Sequence, residues 1–280
     1  MFDSLYAKRP LSAGCPDLER LGAEYHATHA DTSHQFSRAA LDCLERLIDL
    51  ATGSRAALVV GCGPKPGAVR DLLDRGLDAR AVEPVAQNVA SARQFLQDDS
   101  LVQQGSAESL AFPDESFRII LMESVLEHVD SPIKALNEMY RVLVPGGVLY
   151  VYTTNRWKFS PRGVNGEYRV PFFNWFPAIV KESYVFQQLH YDPSLANFNA
   201  RPAFHWFTYS ELCQLGRMAG FAHFYSWIDL AGRQNAFVRA SRLRRLMVER
   251  IRYRPWLRAL ALTQSGGSIF MYKRPSAGEP

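Results

Sequence analysis

The stretch AALVVGCGPKPG, residues 56–67, constrains the fold of this chain more than any other. Its apolar residues, 56–60, run directly into a loop that contains Gly61, Cys62, Gly63 and Gly67. A short apolar run that ends in glycines is typical of a buried parallel strand. Glycines directly after such a strand indicate a tight turn into a helix, at a place where the backbone passes close to a ligand.

A second apolar stretch, residues 79–82, ends in Glu83, which lies sixteen residues beyond Gly67. This spacing favours a strand, a helix and a second strand, which is how a doubly wound parallel sheet begins. A carboxylate at the end of the second strand can accept hydrogen bonds from two ribose hydroxyls. The sequence therefore predicts an α/β fold with a nucleoside-binding edge.

Four sequence blocks occur in order along the chain: VVGCGPKPG (59–67), AVEP (81–84), GSAESLAFPDESFRII (105–120) with MESVLEHVDSP (122–132), and LNEMYRVLVPGGVLYVYTTN (136–155). In these blocks the chain resembles the class I S-adenosylmethionine-dependent methyltransferases, of the small-molecule, methyltransferase type 11/12-like kind. The resemblance is close over residues 55–155 and loose elsewhere. It implies a Rossmann-like, seven-stranded, mostly parallel sheet with an antiparallel last strand, and S-adenosyl-L-methionine as the cofactor. Beyond residue 155, where the match fades, the chain itself predicts an aromatic-rich insertion as a cap.

The resemblance also implies which residues contact the cofactor. The glycine loop faces the methionine end, Glu83 holds the ribose, and the loop after the third strand closes on the adenine. The predicted cofactor-binding residues are Gly61, Cys62, Gly63, Gly67, Glu83, Ser106, Ala107, Glu108 and Glu123. Two positions depart from the family pattern, because Val59 replaces an acidic residue and Ser106 replaces a frequent aspartate.

The loop after the fourth predicted strand carries the candidate catalytic chemistry. Some related methyltransferases bind a divalent metal through a Glu-x-x-Glu-His run, but Ser124 occupies the place of the first glutamate here. Two side-chain ligands are few for a hard cation, so we predict no metal. His128 is a candidate general base, with a loop-shaping hydrogen bond as the alternative. His34 is a second candidate base, with a solvent-facing histidine as the alternative.

We predict one methyltransferase domain over residues 1–275 and a tail at 276–280. Its predicted parts are an N-terminal helical lid (1–52), a cofactor-binding core (53–155), an inserted substrate cap (156–207), and a C-terminal helix, strands and basic helical segment (208–275). The insertion is rich in aromatic residues and is long for a connection between a strand and a helix. It is predicted to form the acceptor pocket; the alternative is a small subdomain whose aromatics form a core.

Charge is unevenly distributed along the chain. Residues 239–258 contain eight arginines and one glutamate, although the whole chain has a net charge of only +4. Leu243, Leu246 and Met247 belong to a rough apolar face of this segment. Four interpretations of the segment stay open: a solvated helix packed on the domain, a membrane-surface helix, an anionic-substrate site, and a nucleic-acid contact. The four cysteines lack metal spacing, and the N-terminus lacks a signal-peptide core, so we predict a cytoplasmic protein with membrane association left open.

The predicted function is methyl transfer to a hydroxyl, or an amine, of a small-molecule, glycan or lipid-linked acceptor. Nucleic acid is not expected as a partner, because the loop after the fourth strand lacks the Asn-Pro-Pro-Tyr and Pro-Cys runs of base methyltransferases. Two other classes stay open: a binding module that retains the cofactor but not turnover, and a nicotinamide-dependent oxidoreductase. The second is disfavoured because Gly63 and Gly67 are four positions apart rather than three.

Overall fold

A computed structural model of the chain describes residues 33–44, 47–48, 53–161, 168, 170–187, 203–231 and 241–275. The strands in this part are β1 (Ala56–Val60), β2 (Asp78–Glu83), β3 (Val102–Gln104), β4 (Phe117–Glu123), β5 (Leu143–Tyr152), β6 (His223–Tyr225) and β7 (Ser268–Tyr272). The helices are α1 (Ser33–Leu44), α2 (Gly67–Asp74), α3 (Ala86–Leu96), α4 (Pro132–Val142), α5 (Ala178–Gln187), α6 (Tyr209–Ala219), α7 (Trp227–Leu230), α8 (Arg242–Tyr253) and α9 (Pro255–Ser265). Short 3-10 turns lie at Asp99–Leu101 and Phe173–Trp175.

The seven strands form one sheet in the order β3-β2-β1-β4-β5-β7-β6. Neighbouring strands from β3 to β5 pair in parallel, and β7 is antiparallel to both β5 and β6. The predicted seven-stranded, mostly parallel sheet is therefore confirmed. The strand order reverses between β1 and β4, and doubly wound sheets bind their ligands at the carboxyl ends of the strands around such a point.

Both faces of the sheet are covered, which explains why β1 is apolar without interruption. Leu58 and Val60 pack in one layer with apolar residues of α4 and α6. Ala57 and Val59 point to the opposite face, where they pack with residues of α1, α2 and α3. Val59, which departs from the family pattern, is therefore a core residue and is 5% exposed.

Helix α1 belongs to the core rather than standing away from it. Leu41 and Leu44 are fully buried and join the layer that contains Val69 and Leu72 of α2. Asp42 and Arg75 form an ion pair at 2.9 Å beside this contact. Residues 1–32, 45–46 and 49–52 of the predicted lid lie outside the described residues, so the lid stays a prediction.

The described part of the insertion builds a small aromatic core of its own. Tyr168, Phe173 and Trp206 are buried against one another, with ring centroids 5.2 to 6.5 Å apart. The buried amide of Asn174 donates to backbone oxygens that follow β5, those of Asn155 (3.2 Å), Arg156 (3.1 Å) and Lys158 (2.6 Å). These contacts agree with the alternative of a subdomain with an aromatic core, while Phe159 and Trp175 stay exposed.

The basic segment is divided into two helices at Pro255. Arg254, which precedes the proline, has extended backbone angles (φ −113°, ψ 106°), as steric contact with a following proline favours. Pro255 then opens α9, where its fixed φ suits the first helical position. Across the described residues, no helix combines the length and apolar character required to cross a membrane.

Candidate cofactor site

The glycine loop turns sharply at the carboxyl end of β1. Gly61 and Gly63 have φ values of +70° and +65°, a left-handed conformation that glycine adopts without a steric penalty. The backbone N–H of Gly61 donates to the carbonyl of Val82 at 2.8 Å, which fastens the loop to β2. A Cβ on Gly61 would lie 2.2 Å from Val125 Cγ2, so the loop after β4 also requires glycine at this position.

Gly63 differs from Gly61 in what surrounds it. Among the described residues, no atom lies within 4 Å of a Cβ built on Gly63, so they leave this side of the loop open. Its backbone N–H donates to Glu83 Oε2 at 3.0 Å. The loop that is predicted to contact the methionine end and the carboxylate that is predicted to hold the ribose are therefore joined directly. Gly67, the last of the predicted loop glycines, is buried as the first residue of α2.

Glu83 is the buried anion of the site. It is 5% exposed, and its carboxylate also accepts hydrogen bonds from the Val85 N–H (3.2 Å) and from Asn88 Nδ2 (3.1 Å). Burial raises the pKa of this carboxyl, and the donors from Asn88, Gly63 and Val85 oppose the rise. A carboxylate has about four acceptor positions, so the three protein donors leave acceptor capacity for a ribose hydroxyl. Sequence reasoning missed Asn88, five residues beyond Glu83 on α3.

Cys62 is half-buried between these two groups. Burial, together with the charge of Glu83, raises the pKa of its thiol to about 12. The thiol is therefore protonated at neutral pH, and its Sγ lies 3.5 Å from the Gly63 carbonyl, to which it donates. Because a thiolate is the reactive form of cysteine, Cys62 is suited to lining the site and not to nucleophilic attack.

The loop after β3, predicted to contact adenine, lies beside Glu83. The N–H of Gly105 donates to the backbone carbonyl of Glu83 at 3.1 Å. Ser106 is exposed, and its hydroxyl accepts from the Glu108 N–H at 3.2 Å within the same turn. Ala107 is buried. The contacts of Ser106 and Ala107 with adenine stay predictions.

The Glu108 side chain has a structural contact that its sequence position did not reveal. Its two carboxylate oxygens accept from the backbone N–H groups of Asp130 (3.1 Å) and Ser131 (2.9 Å). These N–H groups directly precede α4, where a negative charge is favourable. Glu108 therefore connects the predicted adenine loop to the start of α4, and its predicted contact with the cofactor is untested.

The loop after β4 brings the remaining predicted residues to the same edge. Glu123 ends β4 and is half-buried, and Ser124 follows with φ +52°, which is uncommon for a residue other than glycine. The N–H of His128 donates to the carbonyl of Val125 at 2.9 Å, so the two residues share one turn. Val125 is also the residue whose side chain lies next to Gly61. His34 lies on α1, and its side chain is outside the described residues.

Glu127 is a buried acid that sequence reasoning did not assign to the site. It is 1% exposed, Thr153 Oγ1 donates to its Oε2 at 2.6 Å, and burial raises its pKa to about 7. Its backbone carbonyl accepts from the N–H groups of Phe204 (2.8 Å) and His205 (3.3 Å). Glu127 thus fastens the loop after β4 to the end of β5 and to the returning end of the insertion. The one sequence signal for Glu127 is its place in the motif LEHV, residues 126–129.

His205 reinforces the same junction. Its Nε2 lies 3.0 Å from the carbonyl of Val129, and its own carbonyl accepts from Thr154 Oγ1 at 2.6 Å. These contacts hold residues 203–207 against the carboxyl edge of β4 and β5. Within the described ranges, no group of three or more His, Cys, Asp or Glu side chains is arranged to hold a metal ion.

Comparisons with known proteins match the same region. A family model described as a methyltransferase domain matches residues 58–151. A probable S-adenosylmethionine-dependent methyltransferase of Mycolicibacterium smegmatis is 32% identical over 119 residues, 42% of this chain and 44% of that protein. The ubiquinone/menaquinone biosynthesis C-methyltransferase UbiE of Vibrio vulnificus is 45% identical over 58 residues, 21% of this chain and 22% of that protein. The chain thus spans less than half the length of either curated relative.

Among solved structures, the fold is similar to that of a chain from the complex between the Haloferax volcanii Trm112 methyltransferase activator and a methyltransferase candidate. The similarity covers 94% of this chain and 98% of that chain, with a TM-score of 0.52 and 18% identity, and it concerns the fold alone. The side chains described above suit the cofactor of the matched family, because Gly63 leaves open space beside the loop and Glu83 retains acceptor capacity. The sheet topology and the family match identify residues 58–151 as a methyltransferase domain of the class I S-adenosylmethionine-dependent kind.

Proposed function

We propose that this protein transfers a methyl group from S-adenosyl-L-methionine to a hydroxyl, or an amine, of a small-molecule, glycan or lipid-linked acceptor. The observation that carries the proposal is the direct bond between the Gly63 N–H and the Glu83 carboxylate at 3.0 Å. This bond holds the loop for the methionine end and the acceptor for the ribose in fixed relative positions. Prior positioning of binding groups reduces the ordering cost of binding.

In this proposal the cofactor lies across the carboxyl ends of β1, β2 and β4. Its methionine end lies along the glycine loop, its ribose against Glu83, and its adenine against Ser106 and Ala107. Glu108 contributes by holding the adenine loop to α4, and Glu123 lies at the methyl-transfer end. Asn88 is added to this set as a residue that orients the Glu83 carboxylate through its 3.1 Å bond.

The bound cofactor supplies an activated methyl group on a sulfonium. The protein then has to align the acceptor with that methyl group and exclude water. The acceptor oxygen forms a bond to the methyl carbon as the carbon–sulfur bond breaks, and the electron pair of the broken bond stays on sulfur. The hydroxyl proton passes to a base, for which His128 and His34 are the candidates.

The aromatic insertion supports an acceptor with an apolar or ring-shaped part. The rings of Phe159, Phe172 and Trp175 contact one another, with centroids 5.5 to 5.9 Å apart. Phe159 and Trp175 are about half exposed, so this cluster presents aromatic surface. Aromatic side chains bind rings and acyl chains through large apolar contact areas.

The test is methyl transfer from methyl-labelled S-adenosyl-L-methionine into extract separated into lipid, glycan, small-molecule, protein and RNA fractions. We expect label in the lipid, glycan or small-molecule fraction, on oxygen or nitrogen of the isolated product. Label only in protein or RNA would contradict the acceptor class. Label on carbon, as the name of the C-methyltransferase UbiE implies for that protein, would contradict the acceptor atom. Cofactor binding without label in any fraction would favour the non-catalytic binding module.

The base assignment has a separate test with the identified acceptor. For a hydroxyl acceptor, His128→Gln should lower kcat by about 100-fold or more while leaving KM for the cofactor unchanged, since general base catalysis contributes on the order of 10²–10⁴. It should also remove the acidic limb of the pH–rate profile. His34→Gln is measured in parallel, and His223→Gln, an exposed position on β6, is the matched control. Unchanged kcat in both variants would contradict both candidates.

A further inference from the structure

The two helices of the basic segment carry large apolar side chains on their outward side. On α8, Leu243 is 75% exposed and Tyr253 is 76% exposed, and Leu246 and Met247 are exposed between them. On α9, Trp256 is 67% exposed and Leu260 is exposed beside it. We call these six side chains the outward apolar face: Leu243, Leu246, Met247, Tyr253, Trp256 and Leu260.

Helical spacing places the α8 members of this face together. Counted from Leu243, the offsets are three residues to Leu246, four to Met247 and ten to Tyr253. At 3.6 residues per turn, these offsets place all four side chains along one side of the helix. Their exposure shows that this apolar side does not pack on the domain. Contiguous exposed apolar surface of this kind marks an interaction site rather than a solvated helix.

The opposite side of α8 packs on the domain. Val248 is buried and packs with Ala231 and Trp227. The guanidinium of Arg252 donates to the backbone oxygens of Ile228 (2.8 and 3.0 Å) and Ala231 (2.6 Å). Five hydrogen-bonding hydrogens in a rigid fork make arginine suited to fixing a helix in this way. The outward direction of the apolar face is therefore set by specific contacts.

Helix α9 is fixed by polar contacts of the same kind. Arg258 forms an ion pair with Asp229 at 2.8 Å, and Asn155 Nδ2 donates to the carbonyl of Thr263 at 3.1 Å. Both contacts leave Trp256 and Leu260 exposed. Two docked helices, rather than one, therefore contribute to the outward apolar face.

Positive charge surrounds this face. Residues 241–258 contain seven arginines, and Glu249 is the only acidic residue among them. Arg242, Arg250 and Arg254 are exposed. On a helical projection Arg242 and Arg250 flank Leu246, so charged groups and apolar groups share the outward side. Arginine can place its aliphatic part along apolar surface while its guanidinium reaches a polar layer.

We propose that the outward apolar face of α8 and α9 binds the surface of an anionic lipid bilayer. In this arrangement the six apolar side chains enter the boundary between headgroups and acyl chains, and Arg242, Arg250 and Arg254 contact anionic headgroups. A second copy of the chain is a poorer partner, because a two-fold interface would place two arginine-rich surfaces against each other. Nucleic acid satisfies the arginines but leaves the apolar side chains in water. The proposal does not depend on the identity of the methyl acceptor.

The first test is co-sedimentation of the full chain with vesicles of phosphatidylcholine alone or of phosphatidylcholine with phosphatidylglycerol. We expect binding to the anionic vesicles that weakens as salt rises and at least 10-fold weaker binding to the neutral ones. Brominated acyl chains should quench the fluorescence of bound protein, and Trp256→Phe should remove most of that quenching while retaining binding. Quenching that Trp256→Phe leaves unchanged would contradict the proposed depth and face.

Charge and apolar contributions are separated by variants. The triple variant Arg242→Gln, Arg250→Gln, Arg254→Gln should bind anionic vesicles roughly 100-fold more weakly, at about a factor of five for each arginine. Leu246→Ser should weaken binding roughly 10-fold through lost apolar burial. Met218→Ser, an exposed apolar position on α6, and Lys134→Gln, an exposed position on α4, are the matched controls and should bind as the unaltered protein does.

Every alternative outcome overturns the proposal. Unchanged vesicle binding by the triple variant or by Leu246→Ser would place the contact elsewhere. Absence of vesicle binding, with a concentration-dependent dimer that Leu246→Ser dissociates, would assign the face to a second copy. Absence of vesicle binding, with salt-sensitive binding to duplex DNA or RNA, would assign it to nucleic acid. Thermal melting and cofactor calorimetry of each variant distinguish loss of the surface from loss of the fold or of the proposed function.

Discussion

Glu83→Gln is the substitution that tests the cofactor site most directly. The glutamine retains the shape of the side chain but replaces one carboxylate oxygen by an amide nitrogen and removes the charge. Glu83 Oε1 accepts from Val85 and Asn88, whereas Oε2 accepts from Gly63. If the amide oxygen keeps the two bonds on the Oε1 side, its NH₂ group faces the Gly63 N–H, and two donors oppose each other.

The magnitude follows from these contacts. A hydrogen bond to a charged group contributes about 1.5–3 kcal/mol, and the substitution affects both the loop bond and the ribose bond. Since about 1.4 kcal/mol corresponds to tenfold in affinity, we expect roughly 10-fold to 100-fold weaker cofactor binding. Loss of the Gly63 bond should also lower the free energy of unfolding of the cofactor-free protein by about 1 kcal/mol.

The assay is titration calorimetry with S-adenosyl-L-methionine and with its demethylated product, together with urea unfolding. Glu211→Gln is the matched control, because its carboxylate also accepts a backbone bond, from Thr208 at 2.7 Å, in the capping box of α6. That variant should lose stability without losing cofactor affinity. Cofactor binding by Glu83→Gln within twofold of the unaltered protein would refute the assignment of the ribose contact.

Three further predictions concern the loops at this edge. Gly61→Ala should lower the free energy of unfolding more than Gly63→Ala. Both substitutions are strained at positive φ by about 1 kcal/mol, but only the first places a Cβ 2.2 Å from Val125 Cγ2. Urea unfolding of both variants measures the difference, and equal losses of stability would contradict the prediction. Glu127 has a folded-state pKa of about 7, above its ordinary value, so the folded state binds the extra proton and stability should fall as pH rises from about 4.5 to 7. Glu127→Gln should remove most of this dependence of stability on pH and should be more stable than the unaltered protein at pH 8, by on the order of 2 kcal/mol. Urea unfolding at pH 5 and pH 8 measures both effects, and an unchanged dependence on pH would assign the titration to another group. Asn174→Ala should destabilise the insertion by about 1–3 kcal/mol, because the substitution leaves buried carbonyls without their donor. We expect faster limited proteolysis within the insertion, and unchanged proteolysis would contradict the prediction.

Several features could be predicted from the sequence because short-range patterns encode them. The uninterrupted apolar run of β1 predicts a strand covered on both faces, and its residues do alternate between two core layers. Gly61 and Gly63 predict a turn that requires positive φ, and both have it. Glu83 ends β2 as predicted, since a strand end in a parallel sheet is fixed by where the apolar run stops.

Other features depend on residues that are distant in sequence, and no local pattern reveals them. The Glu108 carboxylate accepts from the N–H groups of Asp130 and Ser131, 22 and 23 residues away, and this contact has no signal in the neighbouring sequence. The contacts of Glu127 with Thr153 and with the returning insertion join segments 26 or more residues apart. Burial of an acid is decided by what the fold places across from it, and this information is absent from the neighbouring sequence.

The sequence by itself determined the first strand, the glycine turn and the carboxylate at the end of the second strand, because periodicity, φ preference and chain spacing are local properties. The tertiary structure alone decided that the Gly63 N–H meets the Glu83 carboxylate and that a buried acid joins three segments at the carboxyl edge. It also decided the orientation of the basic helices, whose helical period gives an apolar side without saying where it faces. Val248 and Arg252 settle that direction, because their contacts with α7 turn the apolar side away from the domain.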